Sequence, residues 1–85
     1  MLQILYFTAT WCGPCKSFGP IVEQVSAENP GLITKIDVDA QRDTAMAYQI
    51  SSVPRVVVLK NGDVVASKSG AMPKSELLKF ISLYK

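Results

Sequence analysis

Two cysteines separated by two residues are the side chains of this sequence best suited to do chemistry. Cys12 and Cys15 are its only cysteines, with Gly13 and Pro14 between them. On a helical turn, residues i and i+3 face the same side, which brings both sulfur atoms close enough to form a disulfide. The pair can therefore cycle between a dithiol and a disulfide, and thiol–disulfide exchange is the chemistry that this spacing favours.

The position of the pair at the start of a predicted helix gives each cysteine a distinct role. The free amide groups and the positive end of the helix dipole favour a thiolate at Cys12. We expect Cys12, the outer residue, to attack a substrate disulfide and Cys15, one turn deeper, to resolve the mixed disulfide. Pro14 suits the first helical turn and restricts the backbone there. Trp11 would supply a flat wall beside the reacting sulfur.

Two other uses of a cysteine pair agree less well with this sequence. A zinc ion normally takes four Cys or His ligands, whereas the chain has two cysteines and no histidine. Only a dimer that shares two pairs would complete such a site. A structural disulfide would close a loop too short to constrain the unfolded chain much. We therefore expect no metal and no cofactor apart from the redox-active Cys12–Cys15 disulfide itself.

The elements that must position the pair alternate between strands and helices. Apolar and β-branched runs predict strands, and apolar residues at helical spacing predict helices. Asn61-Gly62 is a strong hairpin signal, and Pro20 should kink the first helix. The predicted strands are Leu2–Thr8, Leu32–Val38, Val53–Lys60 and Asp63–Ser69, and the predicted helices run from the cysteine motif to about residue 28, over Asp39–Ile50, and from a first turn containing Pro73 towards the C-terminus.

This order of elements, β-α-β-α-β-β-α, predicts an α/β fold. A β-α-β start requires a right-handed crossover and parallel first strands, and the hairpin then adds antiparallel strands. The expected result is a mixed four-stranded sheet flanked by three helices, with helices on both faces. Because the chain has 85 residues, no internal repeat and no linker, it is predicted to form a single domain over residues 1–85.

Composition and charge argue against several classes of partner. Nine basic and seven acidic residues give a net charge of +2, and the basic residues are scattered, which indicates no nucleic acid and no membrane surface as partner. No apolar run approaches the roughly 20 residues that span a bilayer. The apolar start lacks a basic leader, so we expect no cleavable signal and a cytoplasmic protein. In that reducing compartment a cysteine pair is more often catalytic than structural.

The segment Trp11–Lys16 (WCGPCK) resembles the active-site motif of the thioredoxin family. Ser52–Pro54 (SVP) is similar to the family's segment with a cis-proline, Lys60–Asp63 (KNGD) to its hairpin, and Gly70-Ala71 to the glycine before its last helix. The matching spacings extend the likeness over essentially all 85 residues. The resemblance implies a thioredoxin-like fold and a thiol–disulfide oxidoreductase that reduces disulfides in proteins.

The resemblance also implies a substrate-binding surface around Cys12. Pro54 would follow a cis peptide bond, and the backbone of Val53 would pair with an extended substrate segment. Gly70 would let the partner's backbone come close. On sequence alone, Pro54 could equally be an ordinary proline at a strand start and Gly70 a strand terminator. The residues implied to contact substrate are Trp11, Gly13, Pro14, Val53, Pro54, Arg55 and Gly70.

Two departures from the family pattern concern the core of the fold. Thioredoxins usually have a further strand and helix before the strand that corresponds to Leu2–Thr8, so this chain resembles a minimal core of glutaredoxin size. Tyr6 stands where the family has a buried carboxylate, which deprives Lys35 of its expected ion-pair partner and Cys15 of its expected base. Either water or Lys35 then accepts the proton of Cys15 in a slower step, or Tyr6 is a core aromatic with a hydrogen-bonded hydroxyl.

A third departure is Arg55, which follows Pro54 where thioredoxins commonly have a threonine. We expect it either to stabilise the Cys12 thiolate and favour acidic partners or to be a solvated surface arginine.

The implied partners are disulfide-containing proteins as substrates. The implied reductant is either a thioredoxin-reductase-like flavoprotein or glutathione. Gly-Pro between the cysteines resembles reducing thioredoxins more than oxidising relatives, and we expect a monomer. The alternative function is a docking module that uses the surface of Trp11, Pro54 and Gly70 without turnover, as some thioredoxin-like subunits of larger assemblies do.

Overall fold

The chain forms four strands and three helices in the predicted order. The computed structural model describes residues 1–85 throughout. The strands are β1 (Leu2–Thr8), β2 (Ile33–Asp37), β3 (Arg55–Lys60) and β4 (Asp63–Ser69), and the helices are α1 (Gly13–Glu28), α2 (Arg42–Ala47) and α3 (Lys74–Ser82). None of these helices has the length and apolar character needed to cross a membrane.

The four strands form one mixed sheet in the order β2-β1-β3-β4. β1 pairs in parallel with β2 and antiparallel with β3, and β3 pairs antiparallel with β4. Phe7 near the end of β1 therefore lies opposite Arg55 at the start of β3. The predicted mixed sheet is confirmed, and the carboxyl end of β1 shares one end of the sheet with the amino end of β3.

Both faces of the sheet are covered, which explains why β1 and β3 are almost continuously apolar. Alternate residues of a strand point to opposite faces, so Ile4 and Tyr6 pack towards α1 and α3, whereas Leu5 and Phe7 pack towards α2. Two helices, α1 and α3, therefore cover one face of the sheet, and α2 covers the other. β1 is held from both sides, and the loop that follows it starts from a rigid support.

The hairpin between β3 and β4 turns at Asn61-Gly62, as predicted. Both residues have positive φ, 54° for Asn61 and 87° for Gly62, which is the backbone that a two-residue turn of this kind requires. The amide of Asn61 donates to the carbonyl oxygen of Met1 at 2.9 Å. This bond ties the hairpin to the start of β1.

Several predicted boundaries were wrong. β2 covers Ile33–Asp37 rather than Leu32–Val38. α2 is shorter than Asp39–Ile50 because the carboxylate of Asp37 accepts the amides of the next residues in a local turn that competes with the helix. β3 begins at Arg55 rather than Val53, since Pro54 has no amide to give the sheet. Pro73 was predicted in the first turn of α3, but it is the N-cap residue and α3 begins at Lys74. α1 continues through Pro20 as one 16-residue helix, and its kink stays a prediction.

The end of α2 has a well-defined capping geometry. The amide of Ile50 donates to the carbonyl of Ala45, and the amide of Gln49 donates to the carbonyl of Met46. These are the two hydrogen bonds that define a Schellman motif. Gln49 occupies the left-handed position of this motif with φ 55°. Glycine is the usual residue there, because a side chain makes that backbone costly.

Candidate active site

Cys12 and Cys15 form a disulfide at the start of α1. Cys12 is the N-cap residue of the helix and Cys15 lies in its first turn, with 5.3 Å between their Cα atoms. The predicted proximity of the sulfur atoms is thus confirmed. The description of Cys12 as the outer residue was wrong for this disulfide form, because Cys12 is 4% exposed and Cys15 is 5% exposed.

Cys12 is nevertheless set apart by its place at the helix N-terminus. Its Sγ accepts the backbone amide of Cys15 at 3.2 Å, so the sulfur takes the part that an oxygen plays in an ordinary N-cap. The first turn of α1 contains no acidic residue and is followed by Lys16. The amide and the helix dipole both favour negative charge on Cys12 Sγ.

The segment around Pro54 lies directly beside Cys12. The predicted cis peptide bond between Val53 and Pro54 is present. The carbonyl oxygen of Val53 is 3.6 Å from Cys12 Sγ, although the two residues are 41 positions apart. Pro54 in turn accepts the amide of Gly70 at 2.9 Å. The fold therefore brings Cys12, Val53, Pro54 and Gly70 to one end of the sheet.

The residues that border this cluster leave it open on the outside. Gly70 has φ 94°, a backbone conformation that favours glycine, and a Cβ placed on it would meet nothing within 4 Å. Gly13 and Pro14 are exposed between the two cysteines, and Gly13 also has open space beyond it. A partner's backbone can therefore approach the disulfide on this side.

Trp11 forms the opposite border and is held by a residue that sequence reasoning missed. Its side chain is 68% exposed, and its indole Nε1 donates to Asp39 Oδ2 at 2.7 Å. Asp39 lies in the loop that follows β2. The neighbouring residue in that loop, Val38, donates its backbone amide to the carbonyl oxygen of Thr8 at the end of β1, at 2.9 Å. The sequence did contain a signal for Asp39. Trp11 follows β1 and Asp39 follows β2, and residues that follow neighbouring parallel strands meet at one edge of the sheet.

A small apolar cavity separates Trp11 from the Val53 segment. Its volume is about 150 Å³. The cavity is lined by Trp11, Val38, Ile50, Ser51, Ser52 and Val53.

Tyr6 is buried beneath the second turn of α1. It is 2% exposed, and its ring meets that of Phe18 edge to face, 5.6 Å between centroids. Its hydroxyl is a buried polar atom without a hydrogen-bond partner, so the expectation of a hydrogen-bonded hydroxyl was wrong. A Cβ placed on Gly19, one helical turn after Cys15, would lie 4.0 Å from this hydroxyl.

Lys35 lies opposite Tyr6 in the register of β1 and β2. It is exposed and belongs to neither of the two ion pairs of the protein. Arg55 is half-buried rather than solvated, and it lines a separate pocket at the end of α2. Its effect on the Cys12 thiolate stays a prediction.

Comparison with known proteins identifies the family. The family model for thioredoxin matches residues 1–83. The chain belongs to the thioredoxin family. Members of this family are thiol–disulfide oxidoreductases, and this protein is one, with the Cys12–Cys15 disulfide as its redox-active group. No group of three or more His, Cys, Asp or Glu side chains lies together as a metal site would require.

Individual thioredoxins resemble the chain over most of its length. Thioredoxin C-2 of Corynebacterium nephridii is 44% identical over 77 residues, which span 88% of this chain and 71% of that protein. Thioredoxin of Haemophilus influenzae is 40% identical over 81 residues, which span 93% and 76%. The X-ray structure of Fasciola hepatica thioredoxin has a TM-score of 0.90 and 35% identity, with 99% of this chain and 81% of that chain covered.

We predict that Asp39 orders the indole of Trp11 in this member of the thioredoxin family. Asp39→Ala should lower the fluorescence anisotropy of Trp11, which is the only tryptophan of the chain, and reduce kcat/KM for a protein disulfide by about three- to tenfold. Asp39→Asn keeps an oxygen acceptor and should retain most of both properties. The control is Asp63→Ala at the exposed hairpin, and unchanged anisotropy in Asp39→Ala would refute the role.

Proposed function

We propose that this protein reduces disulfides in other proteins through a cycle in which Cys12 attacks and Cys15 resolves. The observation that carries the proposal is the environment of Cys12 Sγ, which accepts an amide of the α1 N-terminus and lies 3.6 Å from the backbone of Val53. One atom thus combines stabilised negative charge with a neighbouring strand end where a substrate can bind.

The first step forms a mixed disulfide. In the reduced protein, the Cys12 thiolate attacks one sulfur of the substrate disulfide, a bond forms between these two atoms, and the other substrate sulfur leaves as a thiolate. The N-cap position of Cys12 supports this assignment, because the amide that stabilises the sulfur belongs to the backbone and needs no side-chain movement.

The second step releases the substrate. Cys15 loses its proton and attacks Cys12 Sγ, so the Cys12–Cys15 bond forms while the mixed disulfide breaks and the second substrate sulfur leaves as a thiolate. Two electrons have then passed from the dithiol to the substrate. A thioredoxin-reductase-like flavoprotein or glutathione would return two electrons to the Cys12–Cys15 disulfide.

The substrate is proposed to lie across the open surface between Trp11 and Gly70. An extended segment would pair with the backbone of Val53, in the way that peptides pair with the exposed backbone at a sheet edge. Trp11, Gly13 and Pro14 would contact it from one side, and Gly70 from the other. The exposure of these residues supports the assignment.

We propose that residues 1–85 act as a monomeric single domain in the cytoplasm, where a dithiol can be kept reduced. No nucleic acid and no membrane surface is proposed as partner, since the charges of the chain are scattered and nearly balanced.

Reduction of insulin with dithiothreitol as electron donor tests the proposal. The wild type should accelerate precipitation of the insulin chains, and Cys12→Ser should abolish the acceleration. Cys15→Ser should lose most of the acceleration and, once reduced and freed of dithiothreitol, should form a mixed disulfide with insulin that persists, because no second cysteine resolves it. Ser75→Ala, at an exposed position of α3 away from the pair, is the control. An inactive wild type would favour the docking module instead.

Tyr6 is proposed to leave the resolving step without a buried carboxylate base, so that water or Lys35 accepts the proton of Cys15. Its hydroxyl has no partner and reaches α1 one turn after Cys15, but a phenol holds its proton far more tightly than a carboxyl group does. Resolution should therefore be slower than in relatives that have the acid.

We predict that Tyr6→Phe leaves the resolving rate within about twofold and raises the free energy of unfolding by about 1 kcal/mol, since it removes an unpartnered buried hydroxyl. Tyr6→Asp should accelerate resolution and make its rate depend on pH. Single-turnover stopped flow with a chromogenic disulfide measures the step, and urea unfolding measures stability. A large slowing in Tyr6→Phe would make the hydroxyl a proton relay, and an unchanged rate and pH profile in Tyr6→Asp would end the base hypothesis.

A further inference from the structure

A second pocket, distinct from the cavity beside Trp11, lies where the end of α2 meets β3 and β4. Its volume is about 300 Å³. Its lining combines polar and apolar side chains. The lining residues that matter here are Tyr48, Gln49, Arg55 and Ser67, which are polar, and Val57 and Val64, which are apolar.

Arg55 has an unsatisfied charge in this pocket. Three cationic side chains of the protein are half-buried, namely Arg55, Lys68 and Lys74. Lys68 is paired with Glu76 at 2.7 Å and Lys74 with Glu28 at 2.8 Å. Arg55 alone has no carboxylate within ion-pair distance, and its guanidinium donates no hydrogen bond within the protein. A partly desolvated guanidinium without a partner is a binding group for an anion.

Gln49 gives independent support, because its side chain lines the pocket from a costly backbone position. It stands at the left-handed position of the α2 capping motif with φ 55°, where glycine would be cheaper by about 1 kcal/mol. Residues held in costly backbone conformations cluster at active and ligand-binding sites. The amide of Gln49 and the hydroxyls of Tyr48 and Ser67 can each donate a hydrogen bond to an anion.

Arg55 lies at the same end of the sheet as the disulfide, and the pocket extends from it along β3 and β4 as far as Val64. Arg55 follows Pro54 directly, and it pairs with Phe7 near the end of β1 and with Ser69 at the end of β4. Because the Val53-Pro54 peptide bond is cis, the Cα atoms of Val53 and Arg55 are at most about 7 Å apart. A segment that pairs with Val53 can therefore place a side chain two to four residues away over the pocket.

We propose that this pocket binds the carboxylate of an acidic residue of the substrate protein, close in sequence to the cysteine that Cys12 attacks. The charge of Arg55 selects an anion, its planar guanidinium suits a carboxylate, and Val57 and Val64 suit the methylene groups of a glutamate. The inference rests on the proposed reductase function and adds a substrate class to it. Substrates with an acidic residue near the reacting disulfide are reduced faster than neutral ones.

A panel of disulfide peptides tests this selection. The peptides are identical except for one position, placed from one to five residues from the cysteine on either side, which is glutamate in one member of each pair and glutamine in the other. At one or two positions the wild type should show a kcat/KM for the glutamate peptide about three- to tenfold above that for the glutamine peptide. The ratio should fall as salt is added. A ratio of one at every position would overturn the proposal.

Variants of the pocket assign the preference to its residues. Arg55→Gln should bring the glutamate-to-glutamine ratio to about one, and Arg55→Lys should retain part of it. Gln49→Gly should lower the ratio while it raises the free energy of unfolding. Lys60→Gln, at the exposed other end of β3, removes the same charge away from the pocket and should keep the ratio. A preference that persists in Arg55→Gln would refute the site.

Binding without chemistry separates the pocket from the reductase function. A glutamate peptide with serine in place of cysteine should shift the NMR amide signals of Gln49, Arg55 and Ser67 in the oxidised protein, and its glutamine partner should not. If the serine peptide causes these shifts but the disulfide peptides of the panel are not reduced, the reductase function is refuted and the pocket is supported. If the disulfide peptides are reduced but the serine peptide causes no shifts, the reductase function is supported and the pocket is refuted. An effect of Arg55→Gln confined to glutathione disulfide would assign the pocket to glutathione and overturn the substrate claim.

Discussion

The structure depends above all on one hydrogen bond, from the amide of Cys15 to the sulfur of Cys12. An α-helix begins with amide groups that have no partner inside the helix, and most proteins satisfy one of them with an oxygen at the N-cap. Here the N-cap atom is a sulfur. The same contact that starts α1 therefore stabilises negative charge on the atom that must react.

The remainder of the fold supplies the support that makes this contact useful. β1 lies between two apolar layers, so the loop that carries Cys12 leaves from a strand with little freedom to move. Because β3 runs antiparallel to β1, the Val53-Pro54 segment reaches the same end of the sheet from a distant part of the sequence. Two short contacts complete the surface, from Trp11 to Asp39 and from Gly70 to Pro54. Reactivity is thus set locally by the helix, and the place for a substrate is set by the sheet.

The order of elements, the sheet and the cysteine pair could be predicted because each has a local signal. Short windows of sequence show all of these signals: the periodic spacing of apolar residues, the β-branched runs, the Asn61-Gly62 turn, and the spacing of Cys12 and Cys15. The bounds of α2 were wrong because an Asx turn at Asp37 and a left-handed glutamine at position 49 decide them, and such capping competes with helical periodicity. The bond between Trp11 and Asp39, the lone hydroxyl of Tyr6 and the pocket at Arg55 are tertiary features that join distant residues. The burial of Cys12 was also missed, since it follows from packing against Ala9, Val38 and Val53.

Competitive alkylation of the reduced protein tests the central claim most directly, namely that the start of α1 makes Cys12 the reactive thiolate. The protein is treated with a limiting amount of iodoacetamide at slightly acid pH, and the two cysteines are quantified by peptide mass spectrometry. The account predicts that Cys12 is modified at least tenfold faster than Cys15. Equal labelling of the two cysteines, or faster labelling of Cys15, would contradict it.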